Sequence, residues 1–120
     1  MMRCTIRYGL IATAVAIAAA APPLLDVKEF LASKGRYVGK PVMVRGSASC
    51  TNGETCFLYA EESSAVQSVV LDVTRLPQED RRRLHECYPY VQECRVGVTG
   101  VVRSGAFPAL TARSINWSGG

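Results

Sequence analysis

Apolar and polar residues alternate over several stretches of the chain, which marks those stretches as half-buried strands. From Pro41, Val42, Val44 and Gly46 alternate with Met43, Arg45 and Ser47. Across Ser68 to Thr74, Val69, Leu71 and Val73 share one face and Val70, Asp72 and Thr74 the other, which Asp72 marks as the wetter. A further strand sets Val96, Val98, Gly100 and Val102 against Arg95, Gly97, Thr99, Val101 and Arg103. Phe57-Leu58-Tyr59 reads as a shorter strand, and a last one runs from about Ala109 to Trp117.

Two segments follow helical spacing instead. Pro22-Pro23 opens the first, with Leu24, Val27 and Leu31 in register, Phe30 beside them, and Gly35 as its stop. Asp26 near its start and Lys34 near its end suit the helix dipole. The second runs from Pro77 to Tyr88, with acidic Glu79 and Asp80 in its first turn and Leu84, Cys87 and Tyr88 as a narrow apolar stripe. Tyr88-Pro89 ends it. Glu61 to Ser64 reads as a polar turn.

The start of the chain has a different pattern. Arg3 and Arg7 precede an uncharged apolar run from Leu10 to Ala21, which ends in small residues. That is the layout of a secretory signal peptide, and the run is too short for a membrane-crossing helix of roughly 20 residues. Cleavage after Ala20 is expected, removing Cys4 with the leader and leaving no stable membrane anchor. The whole chain carries 14 basic and 10 acidic residues. Without Arg3 and Arg7 the balance is 12 against 10, a net charge of +2. Strong non-specific phosphate binding is therefore not implied. A periplasmic or secreted location is expected.

Cys50, Cys56, Cys87 and Cys94 remain, an even number in an oxidising compartment. Three pairings are open, and the spacing favours Cys50–Cys56 and Cys87–Cys94 because each closes a short loop. Each bridge would contribute about 2–2.5 kcal/mol on the chain-entropy view. A zinc site built from these cysteines and His85 is the rival reading, but the spacings do not suit it. Asn52-Gly53 signals a two-residue hairpin turn, which would put Cys50 and Cys56 on opposite faces. A bridge needs a wider loop with Thr51 opposite Thr55, and this is the expectation adopted.

The expected organisation is a signal peptide over 1–20, an N-terminal helix over 21–36, a barrel over 37–117 and a tail over 118–120. The order of five strands with one helix between the third and fourth is that of the OB-fold, a small Greek-key barrel. The fold class expected is mainly β: a five-stranded OB-fold-like barrel with an added N-terminal helix. Gly39 to Gly46, Val69 to Val73 and Val96 to Val102 resemble strands one, three and four of small bacterial OB-fold domains. The pattern is similar to the tRNA-anticodon-binding-like OB proteins, which include exported members. That resemblance implies a ligand face across strands two and three, between the first-to-second and fourth-to-fifth loops.

Catalytic chemistry is not signalled. His85 is the one histidine and lies among arginines on the second helix, and no nucleophile motif, phosphate-cradling loop or metal-ligand spacing accompanies it. Adjacent Glu61 and Glu62 point apart in an extended segment. Arg81, Arg82 and Arg83 fan around a helix by about 100° per residue, so they do not focus on one ligand. Pairing of Glu79 with Arg83 and of Arg82 with Glu86 is expected to absorb two of them. No cofactor, metal or enzymatic activity is expected.

The candidate ligand residues are Phe57, Tyr59 and Phe107 as stacking surfaces, with Arg45, Arg103 and Arg113 flanking them. Strand two does not distinguish its faces, because Cys56 and Leu58 are as apolar as Phe57 and Tyr59. Trp117 is expected to close the core. The function expected is an exported, non-catalytic binding or adaptor module whose partner is an envelope protein, peptide or small ligand. Single-stranded nucleic acid is the alternative.

Overall fold

Residues 21–51, 55–60, 67–87, 94–105 and 107–118 are described by the computed structural model. The expected leader over 1–20, the Asn52-Gly53 turn, the Glu61 to Ser64 turn with its acidic pair, the Tyr88-Pro89 stop and the final Gly119-Gly120 lie outside them.

The first element among the described residues is a strand that the helical reading did not anticipate. β1 (Leu24–Asp26) runs parallel to β2 (Pro41–Thr51), with Leu24 opposite Met43 and Asp26 opposite Arg45. Helix α1 (Val27–Tyr37) therefore starts three residues later than the apolar spacing implied. Its start is fixed by a capping box. Asp26 Oδ1 accepts from the Glu29 amide at 2.8 Å, and Glu29 Oε1 accepts from the Asp26 amide at 2.9 Å. Two donors left orphaned by the first turn are thereby satisfied. Gly35 does not stop the helix. Instead the helix kinks at Ser33 (φ −133°, ψ 19°), whose hydroxyl donates to the Glu29 carbonyl and bends the turn.

The remaining elements follow in the expected order: β3 (Thr55–Tyr59), β4 (Ser68–Asp72), α2 (Gln78–Leu84), β5 (Cys94–Arg103) and β6 (Ala109–Asn116). Strand β4 is shorter than expected, because Asp72 Oδ1 accepts from the backbone amide and hydroxyl of Thr74 and turns the chain. Helix α2 ends at Leu84 rather than Tyr88, and 3₁₀-type bonds from Glu86 to Arg83 and from Cys87 to Leu84 close it.

Among the described residues the sheet has six strands in the order β1-β2-β3-β4-β6-β5, and β5 pairs again with β2. Five strands thus form a closed circuit of pairings, to which β1 is appended along β2. Strand β2 achieves this by length. It pairs with β5 from Pro41 to Ala48, with β1 from Met43 to Arg45 and with β3 from Ser47 to Thr51. The sixth strand corrects the expected count of five.

The periodic faces came out as read. Val42, Val44, Val69, Leu71, Val96, Val98, Val102 and Leu110 are buried together inside the circuit. Val27 and Phe30 from α1 and Leu84 from α2 join the same core. Two glycines permit close approach of backbones there. A Cβ on Gly46 would lie 2.5 Å from the Tyr59 carbonyl oxygen, and one on Gly100 would lie 2.3 Å from that of Thr111.

Both favoured disulfides form. Cys50 and Cys56 lie directly opposite each other with Thr51 opposite Thr55, the register of the wider loop. The Cys50 amide donates to the Cys87 carbonyl at 3.0 Å instead of across the β2–β3 ladder. Cys87 is bridged in turn to Cys94 at the start of β5. Among the described residues no helix is long and apolar enough to cross a membrane.

Candidate functional site

Strand β3 buries Cys56 and Leu58, so Phe57 and Tyr59 must face outward, and both are half-buried. This resolves the two faces that the sequence left equivalent. The cause lies across the ladder. Cys50 and Ala48 are inward on β2, and their partners Cys56 and Leu58 share their side.

The two rings touch, with centroids 5.9 Å apart and planes tilted by 38°. That spacing is typical of a favourable aromatic pair. Registered partners extend the surface on either side. One outer row runs from Ser49 through Phe57, Val70 and Ala109 to Arg103, crossing five strands. The adjacent row holds Ser47, Tyr59 and Ser68. Val70 and Ser68 were not singled out from the sequence, although their alternation with Val69 and Leu71 places them on this face. Ser49 is almost fully buried beside Phe57, and its hydroxyl has no hydrogen-bond partner among the described residues.

Arg103 belongs to this surface, but its charge is engaged. Its Nη1 lies 3.4 Å from Asp72 Oδ2, reaching diagonally across β6. The Thr74 hydroxyl and amide hold the Asp72 carboxyl below the usual carboxylate range, assisted by the nearby Arg103 charge and opposed by partial burial. The expected phosphate partner is therefore half of an ion pair.

The structure separates the other candidates. Arg45 lies on the outside of β2, with Asp26 and Gly97 as its lateral partners. It is two residues from Ser47, and so diagonal to Tyr59. Arg113 sits where the β5–β6 register shifts between Thr99 and Gly100. It is four residues along β6 from Ala109, about 13 Å from the Phe57 row at the usual rise. Arg103 and Arg45 therefore lie in or diagonal to the rows of Phe57 and Tyr59, and Arg113 lies farther along β6. Arg113 is itself the unpaired residue at that irregularity, which no periodicity reveals. Phe107 is 75% exposed in the β5–β6 connection. Its neighbour Pro108 accepts from the Val70 amide at 3.0 Å, which holds this connection against β4. Among the described residues no ring contact joins Phe107 to Phe57 or Tyr59.

Two of the three arginines in the α2 run have local partners, whereas the buried Arg81 Nε has no hydrogen-bond partner among the described residues. Arg82 pairs with both Glu79 and Glu86, so Glu79 selects Arg82 at i+3 rather than the expected Arg83. Arg83 instead stacks on Trp117, 4.1 Å from the ring centroid. The Trp117 indole donates to Asp80 at 2.9 Å. Trp117 thus packs against the core as expected and also fastens α2 to the end of β6.

No protein-family model matches the chain. No curated protein matches it either. Among solved structures it is similar to a protein assigned as an aspartyl-tRNA synthetase from Leishmania major Friedlin, at 18% identity with a TM-score of 0.54. That likeness covers 82% of this chain and 21% of the synthetase, so the chain spans about a fifth of that protein. It is also similar to OBody AM1L10 bound to hen egg-white lysozyme, at 19% identity and TM-score 0.47, over 67% of this chain and 79% of the other. OBody AM3L09, bound to the same lysozyme, gives 16% identity and TM-score 0.48 over 68% and 83%. The synthetase match is a likeness of fold.

Proposed function

We propose that this chain is an exported, non-catalytic binding module of the OB-fold type, using the outer face of β3 and β4 to hold a partner. The closed five-strand circuit, with α2 between β4 and β5, supports the OB-fold reading. Two disulfides are compatible with an oxidising compartment, which supports export. The single observation that carries the binding role is the outward-facing, touching pair Phe57 and Tyr59. Half-buried aromatics supply large contact area at low entropic cost, and flanking Ser47 and Ser68 supply hydroxyls.

The partner read from this surface is an uncharged segment of a protein or peptide, or a small envelope ligand. The Asp72–Arg103 pair supports that choice, since a phosphate would have to compete with a carboxylate already held by Arg103. The oligonucleotide reading keeps one supporting observation, the position of Arg45 diagonal to Tyr59. Likeness of fold adds nothing to it, because a fold hosts many functions.

Titration of a fluorescent single-stranded oligonucleotide at low salt separates the two readings. The proposal expects no saturable anisotropy change, and salt-sensitive binding abolished by Phe57→Ala and Tyr59→Ala would establish the alternative. An uncharged aromatic-containing peptide, followed by amide chemical shifts, is expected to perturb β3 and β4 in the wild type and not in the double variant.

A further inference from the structure

We propose that the Cys87–Cys94 bridge is a thiol-addressable site, opened at Cys94 by a low-molecular-weight thiol while the rest of the fold stays closed. The two disulfides differ in access. Cys50 and Cys56 are 1% and 0% exposed, opposite each other inside the strand circuit. Cys87 is also 0% exposed, whereas Cys94, the first residue of β5, is partly open to solvent. Thiol–disulfide exchange requires a thiolate to reach a sulfur, so the partly exposed residue of the bridge, Cys94, is the one assigned to the attack.

The exchange balances without any other reagent. A thiolate sulfur attacks Sγ of Cys94 and forms a mixed disulfide there. The Sγ–Sγ bond electrons leave on Cys87, which departs as a thiolate, and the proton released by the incoming thiol balances the step. A second thiol then frees Cys94 and carries the first away as a small-molecule disulfide.

The fold has separate holds on α2 that survive this step. Leu84 stays in the core, the Trp117 indole donates to Asp80, and Arg83 covers the Trp117 ring. The Cys50 amide still donates to the Cys87 carbonyl. Cys50 and Cys56 are both buried on facing strands, so their bridge is expected to open only when β2 parts from β3.

The test treats the native protein with reduced glutathione in the absence of denaturant, then quenches with iodoacetamide in denaturant, so that a buried free thiol is also alkylated, and maps the labels by peptide mass. The expected result is glutathione on Cys94 and alkylation on Cys87, at least an order of magnitude faster than any label on Cys50 or Cys56, with Trp117 fluorescence unchanged. Equal labelling of all four cysteines, glutathione on Cys87, or no reaction before denaturant is added would each overturn it. Cys87→Ser/Cys94→Ser supplies a second measurement: its Trp117 emission is expected to match that of the wild type, and an unfolded variant would contradict the separate holds on α2.

Discussion

Asp72 accepts from both donors of Thr74 and faces Arg103, and all of these interactions favour its charged form. Its carboxyl is lowered in the folded chain from an ordinary value of 3.8. A group lowered on folding contributes stability that is present above its unfolded value and lost as the pH falls through the folded value. Asp72→Asn is therefore expected to be less stable than the wild type at neutral pH, by under about 1 kcal/mol for so open a pair. The difference is expected to shrink below pH 3.8, as urea titrations across pH would record. At this scale the sequence was informative where alternation decides the face. Asp72, Val70 and Arg103 were readable as outward residues. Their meeting was not, because it depends on the β4–β6 and β5–β6 registers together.

Among the elements, the long alternating strands were the most legible and the short ones the least. Three residues of β1 carry no period, and their strand identity comes from the edge that β2 offers them. Asp26 and Glu29 did encode the start of α1, through a spacing that outranks the apolar pattern around it. Glycines define two of the tightest junctions. Gly100→Ala would force a Cβ against the Thr111 backbone, and Gly46→Ala against the Tyr59 backbone. Each is expected to cost about 3 kcal/mol, because neither backbone can withdraw without breaking a ladder. Gly35→Ala meets nothing within 4 Å and is expected to be neutral or to stabilise α1 by up to about 1 kcal/mol. Midpoints of urea unfolding compare the three directly.

For the whole molecule, closure of β5 onto β2 puts one side of every strand in a common core and leaves the other side for contact. That division was visible strand by strand, except in β3, where four consecutive apolar residues hid it. Only the pairing of Cys50 with Cys56 and of Ala48 with Leu58 breaks the tie. The binding reading depends on this division, and neighbouring residues of β3 report it. Stability measured for Leu58→Ala and Phe57→Ala under identical conditions is the most direct test. The account predicts a loss of about 2–5 kcal/mol for Leu58→Ala, which empties a fully buried site. For the outward, half-buried Phe57 it predicts a loss below about 1.5 kcal/mol. A Phe57→Ala loss equal to or larger than that of Leu58→Ala would place the ring inside and contradict the account.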